Sequence, residues 1–324
     1  MKAAIVEGKG QTPVYREFEP PAVKYGMILV DVKAAALSPF SKIRSLGNHY
    51  SSEGHFPAIA GAEGVGTAAD GQRLYFFLPE SPYGALAEQT LVRPEHAVPI
   101  PDELDDITAA AIANPGMSGW MALVERAKLK SGEAVLINGA TGTSGRLAVQ
   151  IAKHLGAGKI IVTGRNEEEL QELLQLGADA VVTFDLDGTD SAVSKFEKAL
   201  MNQFRKGIDV IVDYLWGESA KTIIKAADQS VEHGHPVRFV NVGTSSRQEH
   251  IEMPSSVLRS SAIQLMGSGV GSVPMCRMLE TIEKVFKAVK TENLQINTEV
   301  IPLSSIEKVW IEASGKPRIV FKIE

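Results

Sequence analysis

Ala134-Val135-Leu136-Ile137-Asn138-Gly139-Ala140-Thr141-Gly142-Thr143-Ser144-Gly145 decides the fold. An apolar run of strand length breaks at a glycine-rich turn, and apolar residues then recur at helical spacing over 146–155, until Gly156. Ile160-Ile161-Val162-Thr163 reads as the next strand. Asn166 with Glu169 makes a capping box for a helix that Gly177 closes. Further out, strands at 180–182, 208–213, 238–242 and 263–266 alternate with helices at 193–204 and 219–232. Near-continuous apolar strands between amphipathic helices predict a parallel sheet covered on both faces. Residues 118–273 are therefore expected to form a doubly wound α/β domain, with its ligand at the carboxyl ends of the strands.

On the N-terminal side the texture differs. Met27-Ile28-Leu29-Val30-Asp31-Val32 and Gln89-Thr90-Leu91-Val92 look like strands, and Pro57, Pro79, Pro82, Pro94 and Pro99 mark turns between such runs. This is the pattern of an irregular, mainly antiparallel β unit. Beyond residue 273 come a helix, a strand at 298–301, a short helix at 306–313 and a strand at 318–323. That tail is too small to fold alone, so 1–117 and 274–324 are expected to form one domain into which 118–273 is inserted.

Composition narrows the function classes. At 324 residues, the chain exceeds what one hydrophobic core usually organises. With 44% hydrophobic and 22% charged residues, disordered, collagenous and coiled-coil classes are excluded. A formal charge of -6 leaves no basic excess for nucleic acid. No apolar run approaches the roughly 20 residues of a membrane span. Met1-Lys2-Ala3-Ala4-Ile5-Val6-Glu7 meets a charge too early for a signal peptide, and the single Cys276 fits a reducing compartment. A cytoplasmic protein is expected.

The loop Ala140-Thr141-Gly142-Thr143-Ser144-Gly145 lies between strand and helix, the context in which glycines cradle a dinucleotide. Gly142 lets the backbone approach a pyrophosphate, Gly145 lets helix and strand pack closely, and the helix start offers N–H groups and partial positive charge. Ala140 stands where a first glycine is usual. The competing reading is an ordinary βα turn. The second strand chooses the dinucleotide: it ends Thr163-Gly164-Arg165-Asn166, with no carboxylate to hold a ribose 2′-hydroxyl. Gly164 makes room for a 2′-phosphate and Arg165 can pair with it, which predicts NADPH over NADH. The alternative leaves Arg165 solvated and Asn166 only capping.

With these residues in view, the chain resembles the medium-chain dehydrogenase/reductase superfamily, in its zinc-independent quinone oxidoreductase-like branch. The resemblance runs nearly end to end. It rests on Ala35-Ala36-Leu37-Ser38-Pro39-Phe40-Ser41-Lys42-Ile43-Arg44-Ser45-Leu46-Gly47-Asn48-His49-Tyr50 and Phe56-Pro57-Ala58-Ile59-Ala60-Gly61-Ala62-Glu63-Gly64-Val65-Gly66. It continues through Tyr83-Gly84-Ala85-Leu86-Ala87-Glu88, the loop at 139–145, the segment 209–217 and Gly315-Lys316-Pro317-Arg318-Ile319-Val320-Phe321. It implies a GroES-like β-rich catalytic domain carrying an inserted Rossmann domain, and a homodimer.

A catalytic zinc needs about three protein ligands with a fourth place open. Zinc-dependent relatives carry Cys where this chain has Ser38, His where it has Ala62, and a second Cys near Asn114 or Pro115. Glu63 and seven scattered histidines do not rebuild such a site, so no metal is expected. Among catalytic candidates, the resemblance places Tyr50 in the substrate cleft, as a proton donor or as an aromatic wall. Ser38 is either a hydrogen-bond donor to a ribose or substrate oxygen or a turn residue before Pro39. Asn114 is a cleft candidate where the chain passes the nicotinamide. The strand ends Tyr214-Leu215 and Asn241-Val242-Gly243 are further cofactor contacts. Asp209 and Asp213 read as structural polar ends.

The activity expected is hydride transfer from NADPH to a quinone or other α,β-unsaturated carbonyl, with no nucleic-acid or membrane partner. Two alternatives stand beside it: an NADPH-binding sensor or structural protein with little catalysis, and an enoyl-thioester reductase. Fold alone does not choose among them.

Overall fold

The computed structural model describes residues 1–186, 188–313 and 315–324. The chain divides into two compact units, one formed by Met1–Met117 with Pro274–Glu324 and the other by Ser118–Val273.

The first unit opens with β1 (Lys2–Val6), β2 (Val14–Glu17) and β3 (Ile28–Ala36), then helix α1 (Pro39–Ser45). It continues through β4 (Ala58–Ile59), β5 (Glu63–Ala68), β6 (Arg73–Phe77), β7 (Gln89–Val92) and β8 (Ala97–Pro99) to helix α2 (Asp106–Trp120). The boundary between units falls inside α2. The second unit comprises β9 (Ala134–Asn138), α3 (Thr143–His154), β10 (Lys159–Gly164), α4 (Glu167–Leu176), β11 (Ala180–Thr183) and α5 (Asp190–Phe204). β12 (Val210–Asp213), α6 (Gly217–Ser230), β13 (Val237–Asn241), α7 (Ser255–Ser260) and β14 (Ile263–Gly267) complete it. The chain then adds α8 (Met275–Thr291), β15 (Thr298–Pro302), α9 (Ile306–Glu312) and β16 (Arg318–Lys322) to the first unit.

In the first unit, β2-β1-β4 form a small antiparallel sheet, and β15-β16-β3-β5-β6-β8 a larger one on which β7 pairs with β3. All pairs of the larger sheet are antiparallel except β15 with β16. The tail is held by β16, whose Val320 and Phe321 pair with Ala36 and Ala35 of β3 and are fully buried. Phe76, Leu86, Ile306, Trp310 and Phe321 belong to one apolar cluster. At about 1.5–3 kcal/mol per buried large side chain, this cluster fixes the returning tail to the sheet. Gly66 on β5 permits the close strand approach, since a Cβ there would lie 2.3 Å from the Asp31 carbonyl oxygen.

In the second unit, six parallel strands run in the order β11-β10-β9-β12-β13-β14, the order of a dinucleotide-binding doubly wound sheet. The central strands explain why: every residue of β9 and β12 is buried, as both faces of such a sheet require. The helices show the local signals expected of them. Asn166 caps α4 by accepting from the Glu169 N–H, and Gly177 ends that helix in the left-handed conformation at φ 116°.

Candidate functional site

Four strand ends in the second unit are joined by one run of buried side chains. Thr163 at the end of β10 donates its hydroxyl to Asn138 Oδ1 on β9 at 2.6 Å. Asn138 Nδ2 donates to Asp213 Oδ1 on β12 at 2.8 Å and to Ser219 Oγ at 3.0 Å. Asp213 Oδ2 accepts in turn from Asn241 Nδ2 on β13 at 3.0 Å. The carboxylate also accepts the backbone N–H groups of Leu215 and Trp216. Burial pushes the Asp213 acid up from its ordinary range, and the Asn241, Asn138 and backbone donors pull it back. Asp213 is thus tied on both carboxylate oxygens to neighbouring strand ends and backbone. Trp216 sits at φ 60°, a backbone conformation costing about 1–3 kcal/mol in a non-glycine residue. Two anchors hold it there: its N–H on Asp213 and its indole Nε1 on the Glu249 carbonyl, 3.1 Å away.

The glycine loop follows directly from β9. Gly139 turns the chain at φ 81°, and Gly145 packs where a Cβ would meet Ala140 Cα and the Gly139 carbonyl oxygen at 2.6 Å each. Gly142 is the N-cap of α3 and carries no capping side chain. A Cβ on Gly142 would meet only the Gly139 oxygen, at 3.6 Å, so this side of the loop is open. Ala140 is buried, whereas Thr141, Gly142, Thr143 and Ser144 are half-exposed. Such an uncapped helix start with an open glycine fits a pyrophosphate.

At the end of β10, Gly164 is buried and Arg165 is exposed, followed by the exposed cap Asn166. Asn166 Nδ2 also donates to Glu169 Oε1 at 3.2 Å. At β12 the Tyr214 ring is buried, and burial raises its hydroxyl well above the ordinary phenol range, so only backbone is offered there, with half-buried Leu215 beside it. Val242 and Gly243 donate their N–H groups to the Asp213 carbonyl at 2.7 and 3.3 Å, which fixes the turn after β13.

In the first unit, the structure brings together residues that sequence reasoning left apart. Glu63 is fully buried, and its Oε2 accepts the Tyr75 hydroxyl at 2.7 Å. Its Oε1 accepts from Asn114 Nδ2 at 2.9 Å and from Arg318 Nη2 at 3.1 Å, across 255 residues of chain. Burial raises the Glu63 acid, and Arg318, Tyr75 and Asn114 oppose that rise. The only sequence signal was a charge inside each of two apolar runs, which did not identify the partner. Asn114 is therefore positioned by Glu63.

Ser38 is buried and caps α1, its Oγ accepting from the Ser41 N–H at 2.9 Å. Ser41, equally buried, accepts the Ala62 N–H on its own Oγ. Tyr50 is 74% exposed, with its ring tilted 35° against that of His49 at a centroid distance of 4.0 Å. His49 in turn packs edge-on to Phe40 and lies 2.8 Å from the Ser51 hydroxyl through Nδ1. Burial lowers the His49 pKa, and the positive charge of Arg44 lowers it further. Replacing Arg44 with glutamine is expected to raise the His49 titration midpoint, read from its imidazole NMR signals. An unchanged midpoint would remove the Arg44 contribution.

The donor set at Ser38, Ala62 and Asn114 does not fit a zinc ion. Ser38 is committed as a cap, Ala62 offers no side-chain donor, and both Glu63 oxygens are taken. Among the described residues, no group of three or more His, Cys, Asp or Glu is placed to hold a metal.

Comparison with known proteins places these features. The profile of a family described as zinc-binding dehydrogenase matches residues 145–290. The chain is 25% identical to a probable NADPH-dependent quinone reductase, tdiC, of Emericella nidulans, with 98% of each chain covered. It is 29% identical over 242 residues to a phenolphthiocerol/phthiocerol polyketide synthase component of Mycobacterium tuberculosis, covering 72% of this chain and 10% of that protein. Its fold matches the quinone oxidoreductase of Thermus thermophilus, a structure also determined with NADPH, at a TM-score of 0.77 and 23% identity, covering 99% of this chain and 100% of that one. Over residues 145–290 the chain is thus similar to the zinc-binding dehydrogenases, and along nearly its whole length it is similar to a quinone reductase and shares the quinone oxidoreductase fold.

Proposed function

We propose that this protein is an NADPH-dependent, zinc-independent reductase of quinones or other α,β-unsaturated carbonyls. The observation that carries the reading is the pairing of an open glycine loop at the start of α3 with a second strand ending in Gly164 and exposed Arg165 instead of a carboxylate. The names of the quinone reductase relatives agree with it.

The residues divide the work by unit. In the second, Thr141, Gly142, Thr143 and Ser144 present the start of α3 to the pyrophosphate. Arg165 takes the 2′-phosphate through charge-assisted hydrogen bonds, and Asn166 borders the ribose. Leu215, Asn241, Val242 and Gly243 carry the remaining cofactor contacts. When bound, the reduced nicotinamide supplies a hydride to an electrophilic carbon. In the first unit, Tyr50 is assigned as proton donor to the substrate oxygen, and Asn114 as an orienting group that Glu63 holds in place. Ser38 supports α1 as its cap. β14 lies at the edge of its sheet with Leu265 exposed, which supports pairing of two copies in a homodimer. Among the described residues no helix is long and apolar enough to cross a membrane, and with the lone Cys276 this supports a cytoplasmic setting.

The test follows reduced-nicotinamide absorbance with NADPH and NADH side by side and a simple quinone, after chelator treatment. Chelator-resistant oxidation of NADPH over NADH is expected. Arg165→Gln is expected to raise KM for NADPH by about 10- to 100-fold, the equivalent of the roughly 1.5–3 kcal/mol of hydrogen bonding to a charged group. The NADH constant moves little. Parallel movement of both constants would overturn the 2′-phosphate assignment.

The partial match to a polyketide synthase supports a second reading, reduction of an enoyl thioester. Oxidation of NADPH with crotonyl-CoA but with no quinone would select it. Tight NADPH binding with neither acceptor would select a sensor.

A further inference from the structure

A small, solvent-open cleft lies wholly within the first unit. Arg44 from the last turn of α1 lines it, together with Glu53, His55, Phe56 and Pro79. It is the one Lys or Arg among the lining residues. Its side chain is only 17% exposed, and burial lowers its pKa despite Glu53. Nε is buried with no hydrogen-bond partner among the described residues. Among the described residues, Nη2 reaches Glu53 Oε1 at 3.4 Å, the long end of the hydrogen-bond range. The Glu53 side chain is 48% exposed and its residue stands in a loop, so this counter-ion is loosely held.

A buried cation with an unsatisfied donor costs free energy unless an anion completes it. The Nε–Nη2 edge of a guanidinium presents two parallel N–H groups, the geometry that a carboxylate accepts with its two oxygens. Two hydroxyls near it are already spent on the protein. Ser45 Oγ accepts the Gly61 N–H, and the Ser52 hydroxyl donates to the Arg44 carbonyl. One cation whose Nε lacks a partner and whose Nη2 is held by the long contact to Glu53 suits a single negative charge once Glu53 moves. A phosphate dianion would want a second permanent cation, and among the described residues no further Lys or Arg lines the cavity.

We propose that this cavity is a carboxylate-binding site, in which the Nε–Nη2 edge of Arg44 takes the carboxylate of an acidic substrate and Glu53 swings aside. The site deepens the reductase reading: the preferred substrate is an unsaturated carbonyl compound that carries a carboxylate. Phe56 forms a wall of the cavity, and Gly47 at φ 73° makes room for its ring, since a Cβ on Gly47 would touch Phe56 Cζ at 3.0 Å.

Two readouts separate this site from the reductase activity on which it rests. In the first, succinate is titrated into the full-length protein without cofactor, by calorimetry, with inorganic phosphate in parallel. Saturable succinate binding is expected. Arg44→Gln should weaken it by at least tenfold, and Glu53→Gln, which removes the internal competitor, should tighten it. Thermal melting checks that both variants are folded. In the second readout, a carboxyl-substituted benzoquinone is compared with benzoquinone, and the ratio of their KM values is expected to rise about tenfold in Arg44→Gln. A folding defect would move both constants together and leave the ratio unchanged. Absent succinate binding, binding indifferent to both variants, or phosphate binding tighter than succinate would each overturn the site. Succinate binding that responds as described, in a protein that reduces no quinone, would uphold the site and overturn the reductase reading.

Discussion

Arg318→Leu is expected to lower the stability of the first unit by about 3–5 kcal/mol, the usual cost of removing one partner from a buried ion pair. Glu63 and Arg318 are 0% and 4% exposed in their side chains, and the Glu63 carboxylate has no route to water when its cation goes. At roughly 2–4 °C per kcal/mol for a unit of this size, the melting midpoint should fall by about 10 °C. The loss carries a pH signature. Burial already raises the Glu63 acid, and Arg318 is the first of the groups that oppose the rise. Without it the folded-state pKa climbs further above the unfolded one, so over that interval the folded protein holds a proton that the unfolded chain has released. Stability then falls as pH rises from the ordinary carboxylate range through the raised pKa. Pairing Arg318→Leu with Glu63→Leu removes the stranded acid and is expected to recover much of the loss and the pH dependence. Denaturant melts from pH 4 to 8 decide this. A single variant as stable as the parent would show that the pair is not held in the buried form described.

Gly145→Val is expected to abolish useful NADPH binding, weakening it by at least about 100-fold, because even a displacement on the order of 1 Å in a positioning group costs that much. The first added carbon would lie 2.6 Å from both Ala140 Cα and the Gly139 carbonyl, so the loop backbone has to move. The overpacking itself should cost about 1–3 kcal/mol of stability. Gly142→Ala gives the contrast. The Gly142 backbone, at φ -70° and ψ 161°, suits any residue, and a Cβ meets nothing closer than 3.6 Å. That variant should melt like the parent and yet bind NADPH more weakly, since the methyl group stands where a pyrophosphate would approach. Fluorescence titration with NADPH together with melting curves separates the two effects. Full affinity in Gly142→Ala would place the pyrophosphate elsewhere.

The second unit was legible because its physics is local. Strands buried on both faces read as uninterrupted apolar runs, and helices buried on one face read at a period of 3.6 residues. The order β11-β10-β9-β12-β13-β14 is a fact about distant pairings, and no window of sequence contains it. α2 escaped a reading from periodicity because it is buried nearly all round and has Pro115 inside, which leaves no polar stripe to reveal the turn. The same limit applies to the candidate site. Gly139, Gly142 and Gly145 announce their spacing, but the contacts that hold Asn114 come from Glu63, 51 residues earlier. Ser38 had two readings in the sequence, and the structure finds it capping α1. Asn138 read only as the residue before the loop, although it is the centre of the buried side-chain run.

That run has a thermodynamic consequence for ligand capture. Thr163, Asn138, Asp213 and Asn241 each precede a segment assigned to the cofactor, and the hydrogen bonds among them exist in the protein by itself. The four segments are therefore ordered at their roots before any ligand arrives, and association does not have to freeze them. Freezing a rotamer-rich side chain costs about 0.5–1.5 kcal/mol, and backbone ordering adds to that. The entropy is lost once, during folding, where burial of the sheet offsets it. A nucleotide that meets this edge can turn more of its contact energy into residence time.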